Sequence, residues 1–336
     1  MEEPRLRQFG RWVWGSLHRE NESYWWLAPV LLGWLGLFAA TVGLLAHLVD
    51  SSRQPLIVLA AFAHQLMWGV LLALAVFVIA RRWWALFFAL VLFSGVASTQ
   101  AGLYISAGKV ASGPRIVVLQ ANLRLGSADP AGVVDLVRRH HADLATTEEL
   151  PNDEQTRLIQ AGMSTLLPYH YLLPAPSGAT GLGIWSRYPL SAQVDHPGYL
   201  LGVLSVTVAA PGRPFTAFAV HIKAPFPYPP RHWVHEMAKL KALLAGASSG
   251  HRTVIIGGDF NATPDNAPFR VLLTGGYADA AQEVGAGYLP TYPADAWYPP
   301  MLAIDHVLTA NIVPASVSTV DLPGSDHRGL VASIAL

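Results

Sequence analysis

The chain contains no cysteine among its 336 residues. This absence excludes disulfide bonds, catalytic thiols and zinc sites built from cysteine ligands. It leaves the cellular compartment open, because the compartment is read from how cysteines are used and here there are none.

Charged side chains are also scarce. They make up 13% of the chain, whereas apolar residues make up 52%. Seven Lys or Arg and five Asp or Glu precede Gly108. Fifteen Lys or Arg and seventeen Asp or Glu follow it. The second part is therefore near neutral and lacks the basic excess with which proteins hold a nucleic acid backbone. We expect no nucleic acid partner.

Long apolar runs, by contrast, fill the first part of the chain. They are Trp25–Val49, Leu56–Ala80 and Trp83–Gly108. Each reaches the roughly 20 residues that a helix needs to cross a bilayer, and tryptophans, which prefer the membrane interface, begin the first and third runs. One cleaved signal peptide would have a single shorter run. The pattern predicts three transmembrane helices within residues 25–108, with buried core helices as the alternative.

The arginines predict the orientation of these helices. Residues 1–24 carry four arginines, and Arg81 and Arg82 separate the second and third runs, whereas the first connection has only Arg53. Basic segments remain on the cytoplasmic side. We therefore expect a cytoplasmic tail at residues 1–24 and an extracytoplasmic domain at residues 109–336, in a multi-pass protein of the cell membrane.

Residues 109–336 are rich in predicted strands. The strand-like segments are Arg115–Asn122, Asp143–Glu149, Gly181–Ser186, Leu200–Ala209, Phe215–His221, Thr253–Ile256, Ile304–Thr309, Ile312–Val320 and Gly329–Ala335. Ala131–His141 and Trp233–Ala247 have helical spacing. This order predicts an α+β fold in which a four-layer sandwich holds two packed β-sheets flanked by helices.

Polar residues end or follow many of these strands. They are Asn122, Glu149, His221, Asp259, Asn261, Asp305, Asp326 and His327. Each has an ordinary alternative: an Asn or Asp can begin a turn, a lone histidine can be a hydrogen-bonded core residue, and Glu149 or its neighbour Glu148 can be solvated at a strand end. Their repeated position predicts a site, because sheet proteins commonly place their chemistry there.

The stretch from Thr253 to Asn266 shows the pattern best. Gly257 and Gly258 end the β-branched run and would let the backbone approach a ligand. Asp259 and Asn261, two residues apart on extended backbone, would share a face.

These residue types suit the hydrolysis of a phosphoester or pyrophosphate. Mg²⁺ at Glu149, with Mn²⁺ as a substitute, would neutralise phosphoryl oxygens. Asp259 could accept a proton from an attacking water that Asn261 orients. A protonated His327, paired with Asp305, would stabilise charge on the phosphoryl group. Zinc is disfavoured because the proposed ligands are oxygens, and no nucleophile elbow supports Ser-His-Asp catalysis.

Seven motifs occur in the order seen in a known superfamily. They are ANLR, EEL, GIWSRYPL, VHIKAP, GGDFNATP, IDHVL and GSDHRG. From Arg115 onward the chain resembles the endonuclease/exonuclease/phosphatase superfamily, which includes DNase-I-like nucleases, neutral sphingomyelinases and inositol-polyphosphate 5-phosphatases. With its membrane helices, the whole chain is similar to VanJ-type membrane proteins linked to teicoplanin resistance.

The resemblance implies a role for each motif residue. Glu149 would bind the metal directly, with Asn122 and Asp326 at the same site, and many members have glutamine where this chain has Glu148. His221 would contact the scissile phosphate, where some DNA-repair members have tyrosine. The resemblance also implies that Asp259 and Asn261 orient the nucleophile and the phosphate, with Asn122 contributing to substrate binding, and that Asp305 holds His327.

Two segments rich in proline and aromatic residues, 224–233 and 288–302, predict loops rather than regular helices or central strands. One expectation is that both are rigid surface loops. The other is that they form a wall that meets the membrane interface through Trp233, Trp297 and Tyr298, where Arg231 would bind a lipid phosphate.

The sequence thus predicts a metal-dependent phosphohydrolase at the outer membrane face, acting on a lipid-linked phosphate or pyrophosphate such as undecaprenyl pyrophosphate. The alternatives are a phosphodiesterase of the phospholipase C or sphingomyelinase type, a surface nuclease and a non-catalytic membrane interaction protein.

Overall fold

A computed structural model of the protein describes residues 27–336. The predicted tail 1–24 and the first residues of the first apolar run lie outside this part. The described chain divides into two compact units, residues 27–42 with 66–96, and residues 43–65 with 97–336.

The apolar part of the chain forms helices. They are α1 (Leu27–Leu48), α2 (Gln54–Ala61), α3 (Ala63–Met67), α4 (Gly69–Ile79) and α5 (Trp83–Tyr104). Only α1 and α5 are each long and apolar enough to cross a membrane among the described helices. The middle run differs from the predicted single helix: it is broken after α2 and bent by 59°.

Within the smaller unit, α1 and α4 approach each other at Gly36 and Gly69. A Cβ atom on either glycine would collide with the carbonyl oxygen of the other. Trp34 packs on Phe77 beside this crossing, with ring centroids 5.2 Å apart. Small residues at such a contact are typical of helices that associate in a membrane.

The larger unit contains twelve strands. They are β1 (Arg115–Asn122), β2 (Leu144–Glu148), β3 (Tyr169–Leu173), β4 (Leu182–Ser186), β5 (Leu190–Asp195), β6 (Gly202–Val208), β7 (Phe215–His221), β8 (Val254–Asp259), β9 (Tyr277–Asp279), β10 (Asp305–Ala310), β11 (Val313–Val320) and β12 (Gly329–Ala335). One sheet has the order β11-β12-β1-β2-β4-β3 and the other β5-β6-β7-β8-β10-β9. β1 and β2 run parallel, as do β7 and β8, and every other pair is antiparallel.

Helices cover both outer faces of this sandwich. They are α6 (Pro130–Arg139), α7 (Asn152–Gln160), α8 (Met163–Leu166), α9 (Pro230–Ala247), α10 (Ala267–Leu272) and α11 (Ala280–Val284). The central core joins Ile116 and Leu144 of the first sheet to Val206 and Ile255 of the second. Two packed sheets flanked by helices confirm the predicted sandwich.

The glycines at the centre of β8 serve packing. The strand continues through them to Asp259, so they do not end it as predicted. A Cβ at Gly257 would collide with the Thr146 hydroxyl of the facing sheet, and one at Gly258 with the Val220 carbonyl of β7. Glycine therefore permits the close approach of protein elements here, rather than of a ligand.

Candidate active site

Strand ends bring the predicted polar residues together. Asn122 ends β1 opposite Glu148 of β2, and His221 ends β7 opposite Asp259 of β8. Because the strands of each pair are parallel, their carboxyl ends meet at one edge of each sheet. Asp305 starts β10 as the antiparallel partner of Asp259, so it reaches the same edge.

His327 and Asp305 form a buried ion pair at this edge. His327 Nδ1 donates to Asp305 Oδ2 at 2.8 Å. Burial would lower the pKa of His327, but the charge of Asp305 and the hydrogen bond raise it to about 10. Burial would likewise raise the pKa of Asp305, but the imidazolium lowers it below its ordinary value. His327 is therefore a cation at neutral pH, with Nε2 facing Asp259 Oδ2 at 3.9 Å.

Gln120 and Glu148 support Asp305 from the first sheet. Gln120 Nε2 donates to Asp305 Oδ1 at 2.8 Å and to Glu148 Oε2 at 2.9 Å. Glu148 is fully buried, so its interpretation as a solvated residue is wrong. Burial, reinforced by the charge of Asp305, raises the pKa of Glu148 well above its ordinary value. Burial at this position therefore favours the neutral form of the side chain.

Asp259 accepts hydrogen bonds from two amides. Asn261 donates its backbone N–H to Asp259 Oδ1 at 2.8 Å, and Asn122 Nδ2 donates to Asp259 Oδ2 at 3.1 Å. Burial and the charge of Asp305 nevertheless raise the pKa of Asp259 to about 8. A carboxylate with a pKa near the working pH suits a general base.

The sequence predicts that Asn261 shares a strand face with Asp259, and the structure shows that it does not. It follows β8 in a turn with a φ of +48°, a left-handed conformation that asparagine tolerates better than most residues. Its side chain donates to the carbonyl of Ile222 at 2.9 Å. Both residues still line one cavity.

His221 lies between Asp259 and Glu149. Its Nε2 is 3.6 Å from Asp259 Oδ2 and 3.9 Å from Glu149 Oε1. Burial and the positive charge of His327 lower the pKa of His221 to about 3. A neutral His221 can therefore donate one N–H to a ligand oxygen while His327 supplies the positive charge.

The oxygen atoms of Glu149, Asp326 and Asn122 fit a hard divalent cation. Burial raises the pKa of Glu149, and the charge of Asp326 contributes to the rise; a cation would relieve this cost. Glu149 has a φ of +57°, a strained conformation for glutamate of the kind that often marks functional sites. Leu125 N donates to Glu149 Oε2 at 2.9 Å and orients the carboxylate.

A second group offers ligand atoms within 4.8 Å of one another: Asp259, Asp305 and His327. A metal ligand must be deprotonated, and His327 is held as an imidazolium by Asp305. The oxygens at Glu149 therefore suit a hard cation better than this group does.

These residues open into a cavity of about 680 Å³, within the usual range for ligand sites. Two cations that were not among the predicted site residues, although the ANLR and VHIKAP motifs contain them, also line it: Lys223 and Arg124. Lys223 Nζ lies 3.4 Å from the centre of the Tyr228 ring, and Arg124 Nη2 pairs with Asp295 at 2.7 Å. Their sequence signal is position, since each stands two residues after a predicted site residue.

The remaining predicted residues lie elsewhere. Arg231 is exposed on the first turn of α9 and is absent from the cavity lining. Trp233 is fully buried and donates to the Phe260 carbonyl at 3.2 Å, so its interpretation as an interface anchor is wrong. α9 starts at Pro230, so the predicted loop ends there. Trp297 is 95% exposed and Tyr298 38% exposed.

Known proteins with a similar sequence profile or a similar fold were found for this chain. The sequence profile described as "Endonuclease/Exonuclease/phosphatase family" matches residues 119–327. No curated protein matches the chain significantly. D. rerio TDP2 complexed with a single-strand DNA product is 16% identical, covers 66% of this chain and 99% of its own, and has a TM-score of 0.55.

Two further structures share the fold. The Bacteroides thetaiotaomicron mannosyl-6-phosphatase is 14% identical, covers 66% of this chain and 100% of its own, and has a TM-score of 0.53. The human Nocturnin catalytic domain with bound sulfate is 18% identical, covers 67% of this chain and 96% of its own, and has a TM-score of 0.50. The matched segment starts within β1 and runs to His327, so it contains all the residues that converge at the sheet edge, and the chain belongs to the endonuclease/exonuclease/phosphatase family.

Proposed function

We propose that this protein is a membrane-attached, divalent-metal-dependent phosphohydrolase that acts on a lipid-linked phosphate or pyrophosphate. The family and its structural neighbours, including the mannosyl-6-phosphatase, are phosphoester hydrolases, which supports the reaction class. The observation that carries the proposal is the buried His327–Asp305 ion pair facing Asp259. It puts a fixed positive charge beside a carboxylate of raised pKa.

The reaction follows from the protonation states of these side chains. Asp259 in its ionised form accepts a proton from water as the water attacks phosphorus, and Asn261 orients that water. The bond from phosphorus to the lipid-side oxygen breaks, and the lipid leaves as a phosphate anion or, after taking a proton from water, as an alcohol. His327 donates from Nε2 to a phosphoryl oxygen on which negative charge develops, and His221 donates to another. A divalent cation held by Glu149, Asp326 and Asn122 would neutralise the remaining phosphoryl charge.

Two apolar helices end on the catalytic domain. His47 at the end of α1 pairs with Asp265 at 2.6 Å, and Gln100 near the end of α5 donates to the same carboxylate at 2.9 Å. Three membrane crossings are part of the proposal, with the second formed by the middle apolar run after α2, and the arginines of the tail and of the second connection support a domain outside the cell.

Charge supports the choice of substrate. TDP2 in the similar structure holds single-strand DNA, but residues 109–336 lack the basic excess expected of a nuclease. The cavity has the two cations Lys223 and Arg124, enough for a second phosphate group. Undecaprenyl pyrophosphate combines a diphosphate with a long hydrocarbon chain at the outer membrane face, and its recycling would connect the protein to glycopeptide resistance.

A substrate panel tests the proposal. Full-length protein in detergent with Mg²⁺ should release inorganic phosphate from a polyprenyl pyrophosphate, while His327→Gln and Asp259→Asn proteins should not. Arg231→Gln serves as a surface control and should retain activity. Headgroup release from diacyl lipid alone would replace the proposal with a phospholipase C-type function, and DNA cleavage alone with a nuclease. No turnover of any of them would reject catalysis.

A further inference from the structure

The helix α2 belongs to the catalytic domain, although its sequence belongs to an apolar run of membrane-like composition. Ile57 is 3% exposed and is part of the same core as Trp233 and Phe269. Asn266 Nδ2 donates to the Ile57 carbonyl at 3.0 Å. Gln54 Nε2 donates to the carbonyls of Pro225 and Tyr228, both at 2.8 Å. These contacts hold α2 and the loop beside it in one position.

One face of α2 lines the active-site cavity. Ile57, Val58, Ala61 and Phe62 all contribute to the lining, and their spacing puts them on one side of a helix. Val58, Ala61 and Phe62 are only half-buried, so they present apolar surface to the cavity. Leu56 is 39% exposed and does not line it.

The cavity is therefore polar at one end and apolar at the other. The polar end contains His221, Asp259 and His327, while Phe226 and Leu302 join α2 in the apolar lining. Phe226 is 64% exposed, which is a large apolar surface for a side chain beside an ionic site. Solvent-exposed apolar groups gain free energy when a hydrocarbon covers them.

We infer that α2 is the binding wall for the substrate's hydrocarbon chain, including the second isoprene unit from the phosphate. This inference rests on the proposed function and names the part of the site that selects a lipid over a soluble phosphoester. The phosphate lies at the His327 end, and the adjoining carbons lie against Val58, Ala61 and Phe62. The occupant is an alkyl or isoprenoid chain covalently attached to the phosphate, because the apolar wall and the ionic site share one cavity.

Binding of two soluble diphosphates tests the inference without bilayer partition. Geranyl diphosphate and isopentenyl diphosphate share a headgroup and differ by one isoprene unit. The full chain in detergent with Mg²⁺ should bind geranyl diphosphate at least about tenfold more tightly, since even one methylene in an apolar pocket is worth about this factor. Isothermal titration calorimetry measures both dissociation constants, with the His327→Gln protein used if turnover interferes.

The variants Val58→Ser and Phe62→Ser should each lower this preference by at least about threefold, because they replace apolar lining with a hydroxyl. Leu56→Ser makes the same kind of change on the same helix, away from the cavity, and should leave the preference unchanged. Thermal melting identifies any variant that fails to fold; Ala61→Ser, a smaller change at the same face, then replaces it and should lower the preference in the same direction.

The outcomes separate the two proposals. Equal affinities for the two diphosphates, or a preference that survives Val58→Ser, Phe62→Ser and Ala61→Ser, would overturn the role of α2. A clear preference that depends on these residues, without phosphate release from any lipid, would instead support the hydrocarbon site and reject the proposed hydrolysis.

Discussion

Replacing Asp305 by asparagine removes the charge that keeps His327 protonated while preserving the size of the side chain. The amide oxygen can still accept a hydrogen bond from Gln120, so the tie to the first sheet is retained. The imidazole loses its ionised partner at 2.8 Å. The pKa of His327 should therefore fall from about 10 toward the ordinary histidine value, because burial is then opposed only by the smaller effects of Asp259 and Asp326.

The expected loss of activity depends on pH. With a pKa of about 10, His327 is roughly 99% protonated at about pH 8, whereas a histidine with the ordinary pKa of about 6.5 is roughly 3% protonated there. If the imidazolium is the active form, kcat of Asp305→Asn should fall about thirtyfold at this pH. Lowering the pH should restore much of it. The pKa of Asp259 should fall as well, since the charge of Asp305 helps to raise it.

The assay is kcat as a function of pH, with metal and substrate saturating. A matched control is Asp279→Asn, which removes the carboxylate from another buried pair, His306 Nδ1 to Asp279 Oδ2 at 2.9 Å, outside the active-site cavity. Removing one partner of a buried ion pair costs about 3–5 kcal/mol of stability, so both variants should melt earlier. Only Asp305→Asn should move the alkaline limb to lower pH. A loss of the same factor at every pH, or no loss at about pH 8, would refute the assigned protonation state.

Three other predictions concern the metal site, the membrane and the fold. Glu148→Gln should keep kcat within about twofold because burial raises the pKa of Glu148 and so favours its neutral form, which glutamine resembles. Glu149→Gln should instead raise the Mg²⁺ or Mn²⁺ concentration for half-activation at least about tenfold. Equal effects of the two variants in a metal titration would contradict both assignments. Trp297→Ala and Tyr298→Ala should reduce turnover of a bilayer-embedded substrate more than that of a soluble phosphoester, and equal reductions in a liposome assay would exclude interface anchoring. His306→Gln should lower the free energy of unfolding by about 3–5 kcal/mol. Burial would lower the pKa of His306, but its carboxylate partner raises it above the ordinary value. The stability that this ion pair contributes should therefore be present in full below the unfolded histidine pKa of about 6.5 and be lost as the pH rises through the folded pKa, which urea unfolding at several pH values measures. A stability difference between the two proteins that does not depend on pH would argue for packing alone.

Residues at strand ends could be predicted because their signal is local. An apolar strand of a few residues followed by Asp, Asn, Glu or His is visible in the sequence, and the structure brings Asn122, His221 and His327 close to Asp259. Gln120 could have been predicted in the same way, because it is two residues before Asn122 and so shares its strand face. The short strands β3, β5 and β9 lack a comparable pattern and were not predicted.

The environment of each acidic group could not be predicted in the same way. Glu148 and Glu149 are neighbours of the same residue type, yet one is fully buried and the other lines the cavity. The difference arises because the facing sheet covers Glu148, while a left-handed turn redirects Glu149. Sheet packing thus determined which carboxylate is buried and which faces the cavity.

The sequence by itself predicted apolar helices within residues 25–108 and, in residues 109–336, two packed sheets with a candidate phosphoryl-transfer site. Only the tertiary structure decided that α2 belongs with the second part. A bilayer and a protein core are both apolar, so composition cannot distinguish a residue that faces lipid from one that packs in a core. The contact of Ile57 with Asn266, 209 positions along the chain, makes that distinction, and it gives the active-site cavity an apolar wall.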